Sequence, residues 1–404
     1  MSRRRVDPAP KPSTSTGNQP RVRRASKPVP VTVANPVPSK FGALSHADRR
    51  LIAIVIGLLI AAGILRTSTG NPIFAFVVSG FAVAALARLL VRSVEALGDR
   101  FGLGAVSLLQ SFLGNLPEIF IILFALHAGL YEIVKATIVG SILANILLVM
   151  GLSFFVGGRR YGRQKFDRDT GRQLGMLLTL STFALAIPTM SSLLHTSAVE
   201  HGRELTIAIS GLLVALFLIS IPDTIRNSNH ESPLAGTKEA LDAASDSVEH
   251  GVWRIRTGVL MVALATIGSG FAAYWFVSEL PAAVSNMGIS ESFTGLVIVA
   301  LAGNSVESLF GIQLSRTNQP SFALQVVLQS PVQVAMIVTP FIALAAPLIG
   351  AAAFTLVLSP MLLAVLFMSV FIAVVVVFDG ESTWFEGAAL ITLYVAVAIA
   401  FWWG

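Results

Sequence analysis

The 404-residue chain contains no cysteine, which excludes disulfides, thiol catalysis and thiolate metal sites. Its six histidines fall in the amino-terminal tail, at helix ends or in loops, so a soft or borderline metal finds no ligand set. Charge is scarce as well. Asp, Glu, Lys and Arg make up 12% of the residues, against about 25% in soluble domains. No cleavable signal peptide is evident, because about fifty polar residues precede the first apolar run.

What the chain has is hydrophobic residues, 54% of the total, with a mean hydropathy of +0.77. The apolar runs suit helices, since a bilayer takes roughly 20 apolar residues to span, and they lack the alternation of a barrel strand. The expected fold class is an all-α integral membrane protein. Runs begin near Leu51, Ile73, Leu103, Glu132, Leu174, Leu205, Thr257, Phe293, Phe322, Pro347 and Phe385, which predicts about 11 transmembrane helices. The tenth run is overlong, and Ser359-Pro360 offers a place to break it.

Composition divides the chain into a disordered basic tail (1–50), a first transmembrane helix (51–66), a first repeat (73–222, helices two to six), a polar acidic linker (223–255) and a second repeat (256–404, helices seven to eleven). The tail holds 11 Lys and Arg against Asp7 and Asp48. Tethered beside a membrane, it reads as a solvated, orientation-setting segment in reach of lipid headgroups, not as a nucleic-acid binder. The loop from Gly157 to Gln173 carries Arg159, Arg160, Arg163, Lys165, Arg168 and Arg172, so it belongs on the cytoplasmic side. Counting helices back from it places the amino terminus on that side too. A bacterial inner membrane fits, and an organelle membrane stays open.

Two segments stand out within this frame. Gly114-Asn115-Leu116-Pro117-Glu118 puts a carboxylate inside one apolar run, and Gly303-Asn304-Ser305-Val306-Glu307 repeats Gly-Asn-x-x-Glu in another, at an offset of 189 (307 − 118). Ser141 and Ser330 each follow the glutamate of their segment by 23 residues (141 − 118, 330 − 307). With five helices per repeat the second unit is inverted, so the two segments run antiparallel. That inverted five-plus-five plan, with an extra first helix, is common among secondary transporters, which bind substrate near the midplane.

Intramembrane acids are costly and mark function. Gly114 and Pro117 weaken the third helix and free backbone carbonyl oxygens, and Gly303 supplies the same latitude opposite, although that copy has no proline. Asn115 and Asn304 add amide oxygens. Ser141, Asn145, Ser330 and Gln333 are supporting polar residues in the facing helices, with Asn145 one turn from Ser141 on the same face. Carboxylate, amide, hydroxyl and carbonyl oxygens suit a hard cation. Two ionised glutamates in an empty site would cost several kcal/mol. One divalent cation, two sodium ions or two protons would neutralise them, and charge counting does not choose among the cations. If only loaded forms change conformation, exchange is obligatory. The expectation is thus a transporter and not an enzyme, with no cofactor beyond the transported cation and H⁺. An intramembrane hydrolase is disfavoured, because the glutamates sit where carbonyls are freed instead of beside a nucleophile.

At these residues the sequence resembles the cation/proton exchanger branch of the calcium/cation antiporter superfamily. The likeness runs through Gly114 to Gly158, more loosely through Gly303 to Leu344, and through Asp379 to Phe401. It implies eleven helices, an inverted repeat, and Glu118 and Glu307 as shared Ca²⁺ and proton ligands, with Asn115 and Asn304 contributing. Two departures stand out: Ser308 replaces a histidine common in the family, and Gln329-Ser330-Pro331 replaces a small Gly-Ser-Ser type turn. They keep two alternatives open, a Na⁺/H⁺ or K⁺/H⁺ exchanger on the same site and a transport-impaired cation-binding sensor. The partners expected are an inorganic cation, protons and membrane lipid, with no nucleic acid; a homo-oligomer stays open. Glu279 and Glu291 read as interfacial charges, His195, Glu200, His201 and Glu204 as a polar loop, and Thr383 with Glu386 as a capping box.

Overall fold

The computed structural model of the chain describes residues 44–67, 71–98, 112–226, 253 and 255–403. The basic tail up to residue 43, the start of the third run near Leu103 and the body of the acidic linker lie outside the described residues. In chain order the helices are α1 (His46–Thr67), α2 (Pro72–Gly98), α3 (Leu116–His127), α4 (Tyr131–Leu143), α5 (Met150–Tyr161), α6 (Arg168–Leu193) and α7 (Gly202–Arg226). After the linker come α8 (Ile255–Met287), α9 (Glu291–Phe293), α10 (Ala300–Gly303), α11 (Ser305–Arg316), α12 (Pro320–Gln333), α13 (Thr339–Ala345), α14 (Pro360–Val377) and α15 (Trp384–Trp402).

Among the described residues, nine continuous helices are long and apolar enough to cross a membrane, and a tenth crossing is a pair bent by 64°, Glu291–Gly303 with Ser305–Arg316. The shorter apolar helix α3 falls where the third expected span ends. Exposed isoleucines along α1, Ile54, Ile56, Ile60 and Ile64, form the kind of apolar outer face that lipid covers and water would not. The chain is an all-α integral membrane protein.

Two boundaries differ from expectation. The first helix starts at His46 instead of Leu51, because Ser45 and Asp48 cap each other: Asp48 N–H donates to Ser45 Oγ at 3.0 Å, and Ser45 N–H to Asp48 Oδ2 at 3.1 Å. Asp48 is 4% exposed and also accepts from Arg92 Nε at 3.0 Å and Trp253 Nε1 at 2.9 Å. A charge counted with the tail thus joins α1, α2 and the end of the linker. The tenth run, expected from Pro347, yields no thirty-residue helix. Gly350 turns the chain with φ +84°, residues 351–359 are non-helical, and Ser359 caps a helix that begins at Pro360.

The connections sort into two ends. At one end, β1 (Gln164–Lys165) pairs antiparallel with β2 (Glu381–Ser382). Glu381 there meets Arg163 Nη1 at 2.8 Å and Lys165 Nζ at 3.3 Å. Hydrogen bonds from Lys165 and Arg163 hold its carboxyl below the usual range. The expected capping box closes beside it, with Glu386 N–H on Thr383 Oγ1 at 3.3 Å and Thr383 N–H on Glu386 Oε2 at 2.7 Å. At the other end, Arg66 lies 3.9 Å from Glu279, and His127 Nδ1 lies 3.3 Å from Ile349 O.

Inside the bundle, α2 and α8 lie together, with Phe76 stacked on Phe276 at 4.5 Å between ring centroids. The tightest approach to a backbone lies between the halves. A Cβ on Gly140 of α4 would come 2.5 Å from Leu296 Cα, and one on Gly295 would come 2.5 Å from Ile133 O. Only glycine lets the two backbones cross so closely, and that crossing seats the residues described next.

Candidate ion-binding site

Both Gly-Asn-x-x-Glu segments break their helix at the asparagine. Asn115 has φ −86°, ψ −1°, and Asn304 has φ −96°, ψ 19°. The first break has Pro117 to explain it. The second has no proline and breaks nonetheless at Asn304; side chains there share carbonyls with the backbone, Ala300 O accepting from Asn304 N–H at 3.0 Å and Nδ2 at 2.8 Å, and Asn304 O from Ser308 N–H at 3.2 Å and Oγ at 2.8 Å. Each break leaves the ends of two short helices facing each other, where carbonyls and amides lack intrahelical partners.

Three π-helical turns accompany these breaks: Ala144–Val149, Thr294–Val299 and Val334–Val338. The first and third lie just beyond Ser141 and Ser330, one in each repeat. π-Turns concentrate at functional sites because each carries one extra residue and re-aims the side chains around it. Residue periodicity cannot reveal them in a uniformly apolar run, and the sequence reading missed them.

The helices bring most of the expected residues together. Glu118 is 2% exposed and accepts a hydrogen bond from Ser141 Oγ. Gly303 faces it closely: a Cβ there would stand 3.3 Å from Glu118 Cγ. Asn145, fully buried, directs Nδ2 to Asn304 Oδ1 at 2.9 Å, to Ser141 O at 2.9 Å and toward Ser330 Oγ at 3.2 Å. Ser330 Oγ in turn lies 3.4 Å from Asn304 Oδ1. Across the site, Asn115 Nδ2 donates to Gln333 Oε1 at 3.1 Å. Gly114 immediately precedes the first break and is half-buried.

Glu307 is placed differently. Its Oε2 is buried and, among the described residues, has no hydrogen-bond partner; the same holds for Asn145 Oδ1. Eleven buried side-chain atoms among the described residues are without a partner, eight of them hydroxyls, and Glu307 Oε2 is the one carboxylate oxygen among them, where a water, a cation or a proton would satisfy it. Asn304 differs from the sequence expectation in role: its Oδ1 is taken up by Asn145 and Ser330, so it fastens the helix break instead of offering a free oxygen. The outlying candidates stay apart from this cluster. Glu279 is drawn to Arg66, Glu291 lies in the first turn of α9, His195, Glu200 and His201 lie in the connection between α6 and α7, and Glu204 lies in the first turn of α7.

Comparison with known proteins gives concordant results. The family model described as sodium/calcium exchanger protein matches residues 71–222 and 257–403. The Ca(2+)/H(+) antiporter ChaA of Bacillus subtilis is 32% identical over 354 residues, covering 85% of this chain and 97% of that protein. A Ca(2+)/H(+) antiporter of Synechocystis is 29% identical over 338 residues, covering 81% and 90% respectively. The crystal structure of the Ca2+/H+ antiporter protein YfkE matches with a TM-score of 0.70 at 28% identity, over 88% of this chain and 99% of that one.

Proposed function

We propose, from the premise that the chain belongs to the sodium/calcium exchanger protein family and to its cation/proton exchanger branch, that it is a secondary antiporter exchanging Ca²⁺ for protons. In this reading Glu118 and Glu307 alternately hold the cation and the protons near the membrane midplane. The observation that carries it is the pair of buried, unpartnered oxygens, Glu307 Oε2 and Asn145 Oδ1, beside the hydrogen-bonded Glu118. Ca²⁺ takes about 6 to 8 oxygens in adaptable geometry, which helix breaks and amides can complete.

The charge argument supplies the coupling. Two carboxylates without counter-charge in a low dielectric are costly, so the site exchanges one Ca²⁺ for two protons without passing through an empty ionised state. Ser141 holds Glu118 in one rotamer, while Asn145 and Gln333 brace the breaks on which the glutamates are carried. The basic connection at 157–173 supports an amino terminus on the cytoplasmic side, in a bacterial inner (plasma) membrane.

The test is proton flux in liposomes containing the purified chain, with Ca²⁺, Na⁺ and K⁺ supplied separately, for the parent and for Glu118→Gln and Glu307→Gln. Ca²⁺ is expected to drive flux in the parent and in neither variant. Flux with a monovalent ion alone would keep the site and remove the Ca²⁺ assignment. A parent that moves no protons with any cation would remove antiport itself.

A further inference from the structure

Two adjoining cavities open at the end of the bundle that carries β1 and β2. The larger, about 680 Å³, is lined by Arg88, Arg160 and Arg316, with Leu309 and Phe310 among its apolar walls. The smaller, about 440 Å³, shares Arg160 and Arg316 and adds Arg159, Phe155 and Val156.

Tyr161 links the two arginine-bearing helix ends and lies under one guanidinium. Tyr161 Oη donates to Arg316 O at 2.9 Å, tying the end of α5 to the end of α11. Arg160 lies 5.4 Å over the Tyr161 ring, and Arg159 lies 5.8 Å over Phe155 and 5.9 Å over Trp384. Among the described residues, no carboxylate forms an ion pair with Arg88, Arg160 or Arg316. Three like charges around shared cavities repel one another, and an anion placed among them would relieve that repulsion.

The apolar walls narrow the choice of anion. Leu309 is 56% exposed, and Phe155, Val156 and Phe310 continue the apolar lining on both sides of the arginines. A small hydrated anion gains nothing from these walls, whereas acyl chains do. The guanidinium fork matches phosphate oxygens two at a time. Basic pockets between membrane helices are a recurrent setting for anionic headgroups.

We propose that Arg88, Arg160 and Arg316 form a headgroup site for an anionic phospholipid, its phosphate between the guanidiniums and its chains against Leu309, Phe310 and Val156. The site is separate from the glutamate cluster and uses none of its residues.

The experiment is native mass spectrometry of the full-length chain released from nanodiscs that contain phosphatidylcholine and phosphatidylglycerol. The parent should retain phosphatidylglycerol selectively. Arg160→Ala and Arg316→Ala should each weaken retention about fivefold, the effect of removing one cation near a headgroup. Arg160→Lys, which keeps the charge and loses the fork, should fall between. Lys165→Ala, whose ammonium is exposed and outside both cavities, should change nothing. Equal retention of the two lipids by the parent would overturn the proposal. So would an equal loss in Lys165→Ala, which would point to diffuse surface charge. Displacement of the lipid by inorganic phosphate would assign the arginines to a soluble anion and end the lipid reading.

Discussion

Glu118 and Glu307 hold equivalent places in the two repeats and keep different company. Ser141 donates to Glu118, while Ser330, its counterpart, leans toward Asn304 and leaves Glu307 Oε2 without a partner. The bracing amides are offset by one position: the residue equivalent to Asn145 is Val334, and the one equivalent to Gln333 is Ala144. Each nonetheless fastens the asparagine of the opposite repeat. The glutamates, asparagines and serines were legible from the shared offset, and Asn145 from its helical distance to Ser141. The division of labour was not, since the offset of the two amides is visible in the sequence but which asparagine each one bonds is set by the packing of the helices. The bond between Asn145 and Asn304 can be weighed by a double-mutant cycle with Asn145→Ala and Asn304→Ala. Buried polar pairs in membrane helices couple by about 0.6–1.7 kcal/mol, and a coupling in that range is expected from denaturant unfolding in detergent. Strict additivity of the two substitutions would mean that the bond contributes nothing and that Asn304 is held by Ala300 O and Ser330.

At the scale of elements, the site depends on how closely α4 approaches the Thr294–Val299 turn. Gly140 and Gly295 make that approach possible, and the backbone atoms a Cβ would strike belong to turns that cannot rotate aside. Gly140→Ala should therefore destabilise the protein by about 1–3 kcal/mol, the usual cost of overpacking, and lower exchange along with it. Gly57→Ala, where a Cβ meets nothing within 4 Å, serves as the control and should leave the unfolding midpoint unchanged or slightly raised. If both alanines behave alike, the close crossing does not hold the site together. The residue equivalent to Gly140 is Gln329, which is 3% exposed, so the corresponding place in the second repeat is filled by a long amide instead of open backbone. The helix breaks show where residue types suffice and where they do not. Pro117 announces the first. At the second, Gly303 is the signal in place of a proline, and the bonds of Asn304 and Ser308 side chains to backbone carbonyls, which residue type does not foretell, accompany the break. Ser359-Pro360 marked the interruption of the tenth run in advance, although the extended stretch before it has no such signal. The capping pattern Ser45-x-x-Asp48 was equally readable and would have placed the start of α1 correctly.

Outside the buried glutamate cluster, several long-range bonds join helix ends at one end of the bundle or the other. Asp48 with Arg92 and Trp253, Tyr161 with Arg316, and Arg163 with Glu381 join helix ends that the inverted count places on a single side. Arg66 with Glu279 and His127 with Ile349 join ends that the same count places on the other. Had one span been miscounted, at least one of these pairs would have to reach through the bundle. The pairing groups the ends that belong together, and the charge of the 157–173 connection is the ground for the proposed cytoplasmic side. The absence of cysteine makes that decision directly measurable, because an introduced thiol is the only one in the chain. Lys165→Cys lies at the basic end and Ser197→Cys at the opposite end, both exposed. A membrane-impermeant maleimide added to intact cells should label Ser197→Cys and reach Lys165→Cys only after the membrane is opened. The reverse pattern would turn the protein over in the membrane while leaving every contact within it intact. Labelling of both thiols in intact cells would place the two ends on one side, which no arrangement of an inverted repeat with these end-to-end pairs allows.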